Sequence, residues 1–335
     1  MKVWQVQDAF GLDHLVLTER PSPEPGFREV KLRLRTMSLN FRDSMMVTGA
    51  YNPRQPLPLI PLSDGLGEVI AVGPGVTRVK VGQRVVGNFI QTWLAGEPTR
   101  ESVRGALGGP LDGMLAEERV LGEDGVLPVP EYLSDEEGAT LPCAAVTAWS
   151  AFCQQPLRAG MTVLLQGTGG VSLFALQLAK AVGARIIITS RSDAKLERAK
   201  ALGAHETINY RTEKEWAKRA RELTGGVGVD HVMEVGGAET FAQSLKALKV
   251  GGHLSLIGVL SGSMTQTLLT PILMQNLRVQ GVLVGSRATF EDLNRVLTLH
   301  RIRPVVDRVF SFGEPRAAFE HLASGAHFGK VVVRI

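Results

Sequence analysis

No stretch limits what this chain can fold into more than residues 163–183. It opens on the apolar run Val163, Leu164 and Leu165, which ends at Gly167. A short run of that kind reads as a strand buried on both faces. Gly167, Gly169 and Gly170 then make a tight turn. Beyond it Val171, Ala175, Leu178, Ala179 and Val182 recur at helical spacing, and Gly183 stops the helix. A second apolar run follows at residues 185–189. A strand, a glycine turn, a helix and a second strand place free N–H groups and a positive dipole end where a pyrophosphate would sit. The spacing is Gly167-x-Gly169-x-x-Ser172, with serine where a third glycine normally permits close helix–strand packing. A glycine-rich turn in some other α/β protein is the competing reading. The strand before the turn and the helix after it favour a dinucleotide.

At 335 residues the chain can bury a large core and divide into two domains. Charges of both signs are interspersed, without a basic run, so nucleic acid is not an expected partner. A net charge of +4 suits a phosphate-bearing ligand. Cys143 and Cys153 are too few for a disulfide framework or a four-cysteine zinc site. The first residues lack the apolar core of a signal peptide, and no run is long enough to span a bilayer. The expectation is a cytoplasmic protein with no membrane partner.

Short apolar runs at 3–6, 30–34, 67–72, 84–86 and 117–121, separated by Pro- and Gly-rich turns, read as the strands of an all-β domain. Around Pro128 the texture changes. Ser134 and Glu137 form a capping box that opens a helix. From Val163 onward strands and helices alternate, which implies a parallel, doubly wound sheet. Helices are expected at 193–202, 213–223, 239–248, 290–300 and 315–324, and strands at 206–210, 229–235, 253–257, 279–283 and 330–334.

Several motifs, in order, now bear a resemblance. They are Asn40-Phe-Arg-Asp43, residues 61–69, 79–85 and 141–149, the turn 167–171, Ile208-Asn-Tyr210 and His327-Phe-Gly-Lys-Val331. Over nearly its whole length the chain resembles the medium-chain dehydrogenase/reductase superfamily, in its zinc-independent quinone oxidoreductase-like and alcohol dehydrogenase-like branch. The resemblance implies an α/β fold. A GroES-like β domain would take residues 1–127 and 284–335, and a Rossmann domain with a doubly wound parallel sheet would take 128–283. It also implies NADP(H) as cofactor and a homodimer paired through the apolar edge strand 279–283.

Ser190 stands where NAD-specific relatives carry an acid, and Arg191 follows it. Lys195 and Tyr210 match positions that approach a 2′-phosphate in this branch. A hydroxyl and two cations suit a phosphate dianion. Alternatively Arg191 and Lys195 are solvated surface charges, with Asp193 between them able to accept from a ribose hydroxyl. Thr147, Gly167, Thr168, Gly169, Gly170 and Val171 match the rest of the phosphate-side set. By resemblance Val235 and Gly236 lie under the adenine-side ribose. Gly258, Val259, Val284 and Gly285 flank the nicotinamide, and Phe328, Gly329 and Lys330 close near its ribose.

Zinc needs three or four nitrogen, sulfur or carboxylate ligands. Zinc-dependent relatives carry a Cys, then Gly-His-Glu, then a later Cys. Here Asn40 or its neighbour stands at the first position, Leu62-Ser63-Asp64 at the second, and only Cys143 remains. Residues 87–114 contain no cysteine, and no histidine lies between His14 and His205. The expectation is therefore no zinc, with Cys143 a small buried hydrophobe. Without a metal, a hydride acceptor must be polarised by hydrogen bonds or be activated already. Asn40, Asp43, Tyr51 and Ser63 are the candidate catalytic residues. The Tyr51 phenol can donate to a developing enolate, or serve only as an amphipathic wall; Asp43 can equally be structural. The expected activity is zinc-independent, NADP(H)-dependent hydride transfer to a small-molecule quinone or conjugated carbonyl. Zinc-independent alcohol dehydrogenase or aldehyde reductase activity is the first alternative, and a cofactor-binding, non-catalytic, crystallin-like role is the second.

Overall fold

The computed structural model describes every residue, Met1–Ile335, and divides into two compact units. The first comprises Met1–Val146 with Val284–Ile335, and the second Thr147–Leu283.

The first unit is built on the strand Glu29–Leu39. It pairs antiparallel with Asp64–Val72, Glu118–Gly122 and Lys330–Arg334. Register shifts at Lys31/Leu32 and Leu34/Thr36 bend it enough to serve all three. Val306–Ser311 extends the sheet on one side, and Arg84–Gly87 and Val126–Pro128 on the other. Val30, Leu32, Leu34, Met37 and Leu39 supply the centre of its core, against Val69, Val85, Val331 and Val333. Only residues 30–34 of the central strand are legible as apolar alternation, because Arg35 and Thr36 interrupt it. Each is held by Asp135, Arg35 through its carboxylate and Thr36 through its carbonyl. The unit is also not purely β, since the seven-residue helix Phe41–Val47 follows directly from the central strand.

Residues 128–146 belong with this unit. Tyr132 Oη lies 2.7 Å from the carbonyls of Leu297 and Ile302, and Arg84 Nη2 donates to the carbonyl of Leu133. The expected capping box is present: Ser134 Oγ accepts from Glu137 N at 3.2 Å and Glu137 Oε2 accepts from Ser134 N at 2.8 Å. The helix expected from 290 runs Arg287–His300, because Ser286 caps it and accepts from Thr289 N.

In the second unit six strands pair parallel throughout. Their order is Glu206–Asn209, Arg185–Ser190, Thr162–Gln166, Val229–Glu234, Leu248–Leu256, Arg278–Gly281. Connection direction reverses between Thr162–Gln166 and Val229–Glu234, the switch point at which doubly wound sheets bind ligands. Every residue of Thr162–Gln166 is buried, as its unbroken apolar run implies. The helices are Trp216–Leu223 and Phe241–Ala247 where 213–223 and 239–248 were expected, and the fifth strand begins at Leu248. The edge strand is Arg278–Gly281, all four residues exposed. No helix is long and apolar enough to cross a membrane.

Candidate active site

The glycine turn has the geometry its spacing implies. Gly167 sits at φ +70°, a conformation that side chains strain to adopt, and a Cβ there or at Gly169 would meet nothing within 4 Å. The turn is therefore open on the side a phosphate would approach. Gly169 precedes the helix Gly170–Val182, whose first N–H groups face that side, and Gly183 ends it in the left-handed region. Ser172 replaces the third glycine at no packing cost: it is buried, and its Oγ donates to Gln166 O at 2.6 Å. Thr168, within the turn, is buried, and so is Thr147, in the helix Val146–Gln154.

Ser190 ends its strand buried, and its Oγ accepts from Ser192 N. The neighbouring strand holds Asn209 opposite Ser190, and Tyr210 N donates to Ser190 O at 3.1 Å. The sheet thus brings Ser190, exposed Arg191 and half-exposed Tyr210 to one corner. Lys195 lies on the first turn of the helix Asp193–Leu202 that leaves it. Asp193 is committed elsewhere, accepting from Asn209 Nδ2 at 2.7 Å.

Val235 and Gly236 follow the fourth strand, and both N–H groups donate to Gln166 Oε1. Gly258 packs against them so closely that a Cβ would lie 2.6 Å from Val235 O, and Val259 is partly exposed. This loop rests on residues missed in the sequence. Buried Glu234 accepts from Gly236 N, Gly237 N, Thr240 Oγ1, Gln166 Nε2 and Ser244 Oγ. Polar residues closing two apolar strands, Gln166 and Glu234, were the available signal.

On the first unit Val284 adopts φ +47° and is buried, and Gly285 fits against Val146 and Thr289. Phe328 is buried, its N–H donating to Asp307 Oδ1, and Gly329 turns the chain at φ +96°. Lys330 does not stay with these cofactor candidates. Its Nζ turns inward and donates to Leu39 O at 2.8 Å and Asn40 Oδ1 at 2.5 Å. Asn40 Nδ2 donates to Asp64 Oδ2 at 2.9 Å and lies 3.4 Å from Ser63 Oγ. Ser63 and Ser38 both donate to the same fully buried carboxylate, at 2.9 and 3.0 Å. Asn40, Ser63 and Lys330 therefore meet around Asp64, which was read in the sequence only as part of a motif. Tyr51 is 51% exposed, with the Arg42 guanidinium 5.2 Å from its ring centroid.

Asp43 completes the group. It caps the helix Phe41–Val47 by accepting from Asn40 N at 2.8 Å, and it is fully buried. Burial pushes its carboxyl up from 3.8 to about 6, with the Asp64 charge adding to the rise; Arg42, the Asn40 N–H and Lys330 oppose it. Because the folded value exceeds the unfolded one, the folded protein holds a proton that the unfolded chain releases between about 4 and 6. Stability is therefore expected to fall as pH rises through that window, by at most ~3 kcal/mol. Urea midpoints at pH 4.5 and 7.5 should show this loss in the native protein and not in Asp43→Asn. Parallel pH profiles for the two would refute it. Cys143 is partly buried, and burial together with Asp64 pushes its thiol well above the usual range.

The fold family raises the question of zinc, and these residues do not suit it. No three His, Cys, Asp or Glu side chains are grouped so that they could hold a metal ion. Around Asn40 the side chains are an amide, two hydroxyls and the carboxyls of Asp64 and Asp43, the second turned to the Asn40 N–H, with an ammonium among them.

With this geometry, the chain belongs to the medium-chain dehydrogenase/reductase superfamily. The model of the alcohol dehydrogenase GroES-like domain matches residues 26–131, and that of the zinc-binding dehydrogenase family matches 170–298. A zinc-type alcohol dehydrogenase-like protein of Schizosaccharomyces pombe is 43% identical, covering 97% of this chain and 96% of its own length. A quinone oxidoreductase of Pseudomonas aeruginosa is 34% identical over 92% of each. Among solved structures, an NAD-dependent alcohol dehydrogenase superposes with TM-score 0.91 at 34% identity, covering all of both chains. A mycobacterial protein complexed with NADPH superposes with TM-score 0.84 at 28% identity, again covering all of both.

Proposed function

We propose that this protein is an NADP(H)-dependent oxidoreductase that transfers hydride to a conjugated carbonyl or quinone without a catalytic metal. The donor set around Asn40 carries the reading, because it offers hydrogen bonds and one buried cation where a metalloenzyme would offer ligands. The turn Gly167–Val171 with Ser190, Arg191, Lys195 and Tyr210 would hold the dinucleotide, which supplies the hydride when bound. The NADPH-complexed relative supports this choice.

The hydrogen-bond partners favour Tyr51 as the proton donor. The Ser63 hydroxyl proton and the Asn40 amide protons are directed at Asp64. Tyr51 is the candidate whose hydroxyl engages no acceptor within the protein, and it faces solvent. On an enone it would donate to the oxygen on which charge develops; on a quinone the product anion is already delocalised and needs less help. Tyr51→Phe is expected to slow NADPH oxidation by an enone up to about 10²-fold and to leave a quinone rate nearly unchanged. An unchanged enone rate would leave Tyr51 as a wall residue. No oxidation across a panel of enones, quinones and aldehydes would overturn the enzyme reading. The alcohol dehydrogenase-like relative at 43% identity supports a second reading, aldehyde reduction or alcohol oxidation by the same residues.

We also propose that the protein pairs as a homodimer. Val279 lies on the exposed edge strand, Leu283 is exposed just past its end, and the segment before it exposes Met264, Leu268, Leu269, Leu273 and Met274. Apolar side chains on an unpaired edge strand favour closure by a second copy. Light scattering at micromolar concentration should give twice the chain mass, 36.1 kDa. A monomer would refute it.

A further inference from the structure

Arg42 occupies the first turn of the helix Phe41–Val47, where a cation meets the positive end of the helix dipole. Its place is therefore explained by what the guanidinium reaches, not by the helix. Only 11% of the side chain is exposed. Nη1 donates to Leu107 O at 3.0 Å, and Nη2 donates to Gly109 O. Cζ lies 4.9 Å from the ring centroid of Phe89 and 5.2 Å from that of Tyr51. The neighbouring charge is Asp43, with Oδ1 3.8 Å from Nη1.

These anchors are themselves fixed. Phe89 and Leu107 are buried, and Leu107 N donates to Phe89 O at 3.0 Å. Two bonds from one rigid fork hold the guanidinium plane in place. Tyr51 has less support of its own. Its backbone N–H is tied to Met45 O at 3.1 Å, but half of the residue is exposed. An exposed phenol can occupy several rotamers, and a cation against the ring face favours one of them. We propose that Arg42 is a positioning residue, which fixes the Tyr51 ring so that its hydroxyl is presented to the oxygen of a conjugated carbonyl substrate. The proposal rests on Tyr51 as proton donor in the reading above and adds the residue that orients it. Arg42 itself gives up no proton and stays charged throughout. A ring released from the guanidinium spends less time in the donating orientation. The loss then falls on kcat and moves KM little.

The test is a cycle of the native chain, Arg42→Met, Tyr51→Phe and the double variant, each assayed for NADPH oxidation by one enone and one quinone. Phenylalanine keeps the ring that rests on Arg42 and removes only the hydroxyl. A purely structural role of Arg42 is therefore the same in both backgrounds. Arg42→Met is expected to lower the enone kcat about fivefold, with KM and the quinone rate nearly unchanged. In the Tyr51→Phe background the same change should alter the enone kcat by less than about twofold. An equal loss in the two backgrounds, an equal loss on enone and quinone, or an unchanged enone kcat would overturn the proposal. If Arg42→Met does not fold, Arg42→Lys decides, because an ammonium keeps the charge but not the planar fork that spans both carbonyls. It should lower the enone kcat by at least about threefold, and only where Tyr51 is present. The same loss in both backgrounds, or none, overturns the proposal. Tyr51→Phe without effect on the enone would sink the donor reading and this proposal together. A slowed Tyr51→Phe on which Arg42→Met acts additively would sink this proposal alone.

Discussion

Glu234→Ala is expected to lower the stability of the second unit by about 4 kcal/mol or more. The carboxylate is fully buried, pairs with no cation, and accepts from five donors. Not all five would be stranded. Gly236 N keeps Gln166 Oε1, Thr240 Oγ1 keeps Gly237 O, and Gln166 Nε2 keeps Ser244 Oγ. The Gly237 N–H and the Ser244 hydroxyl lose their acceptor in a dry interior, at ~1–3 kcal/mol each, and the missing side chain leaves a cavity besides. A fall in melting temperature of roughly 10 °C should accompany the loss. Glu234→Gln should cost about half as much, since its NH2 group meets donors on one side only. A change below about 1 kcal/mol for Glu234→Ala would show that solvent reaches these groups. The loop at risk carries Val235 and Gly236, so cofactor affinity should weaken with stability.

The difference between Glu234 and Gly167 marks how far this sequence can be read. The turn 167–170 was legible because its determinants are local: an apolar run, glycines at fixed spacing and a helical repeat, all within 21 residues. That the sheet is parallel and doubly wound followed from the alternation of such units. The site around Asp64 was only half legible. Its members come from three strand ends, at positions 38–40, 63–64 and 330, and nothing in local spacing reports that Val331 pairs with Leu39. Lys330 therefore read as a cofactor residue by position in its motif, while its ammonium lies against Asn40. The central strand was read short for a related reason. Arg35 and Thr36 break the apolar pattern, and their partner Asp135 is 100 residues away from Arg35. The helix expected from 290 starts earlier because its cap, Ser286, lies outside the apolar repeat.

Zinc and cofactor choice are separable in this fold. Asn40, Ser63, Asp64 and Lys330 lie wholly in the first unit; Ser190, Arg191, Lys195 and Tyr210, proposed for the 2′-phosphate, lie wholly in the second. Changes at one should leave the other untouched, since Asn40 and Lys330 share no hydrogen-bond partner with Ser190 and Asp193, and independent sites behave additively. Asn40→Ala is accordingly a control for the cofactor prediction below.

Ser190→Asp combined with Arg191→Ala is expected to weaken NADPH binding by about 10³-fold and to leave NADH within a few-fold of native. Relatives do not decide the matter, since one solved neighbour is NAD-dependent and another carries NADPH. The expectation rests on the residues proposed to face the 2′-position. Ser190 is fixed at its strand end with Tyr210 beside it, and Arg191 is exposed one residue on. Asp193, the acid that could have claimed a ribose hydroxyl, is held by Asn209 Nδ2. A charge-assisted hydrogen bond contributes ~1.5–3 kcal/mol, toward the lower end for an exposed arginine. Removing it by Arg191→Ala alone should weaken NADPH about tenfold. Placing a carboxylate at 190 adds direct repulsion of the phosphate dianion while offering the NADH ribose an acceptor, which accounts for the remaining factor. Nucleotide fluorescence titration measures both dissociation constants without a substrate. Loss of NADPH and NADH affinity in parallel would mean that the variant had damaged the fold of the corner. An unchanged ratio of the two would show that Ser190 and Arg191 do not face the 2′-phosphate.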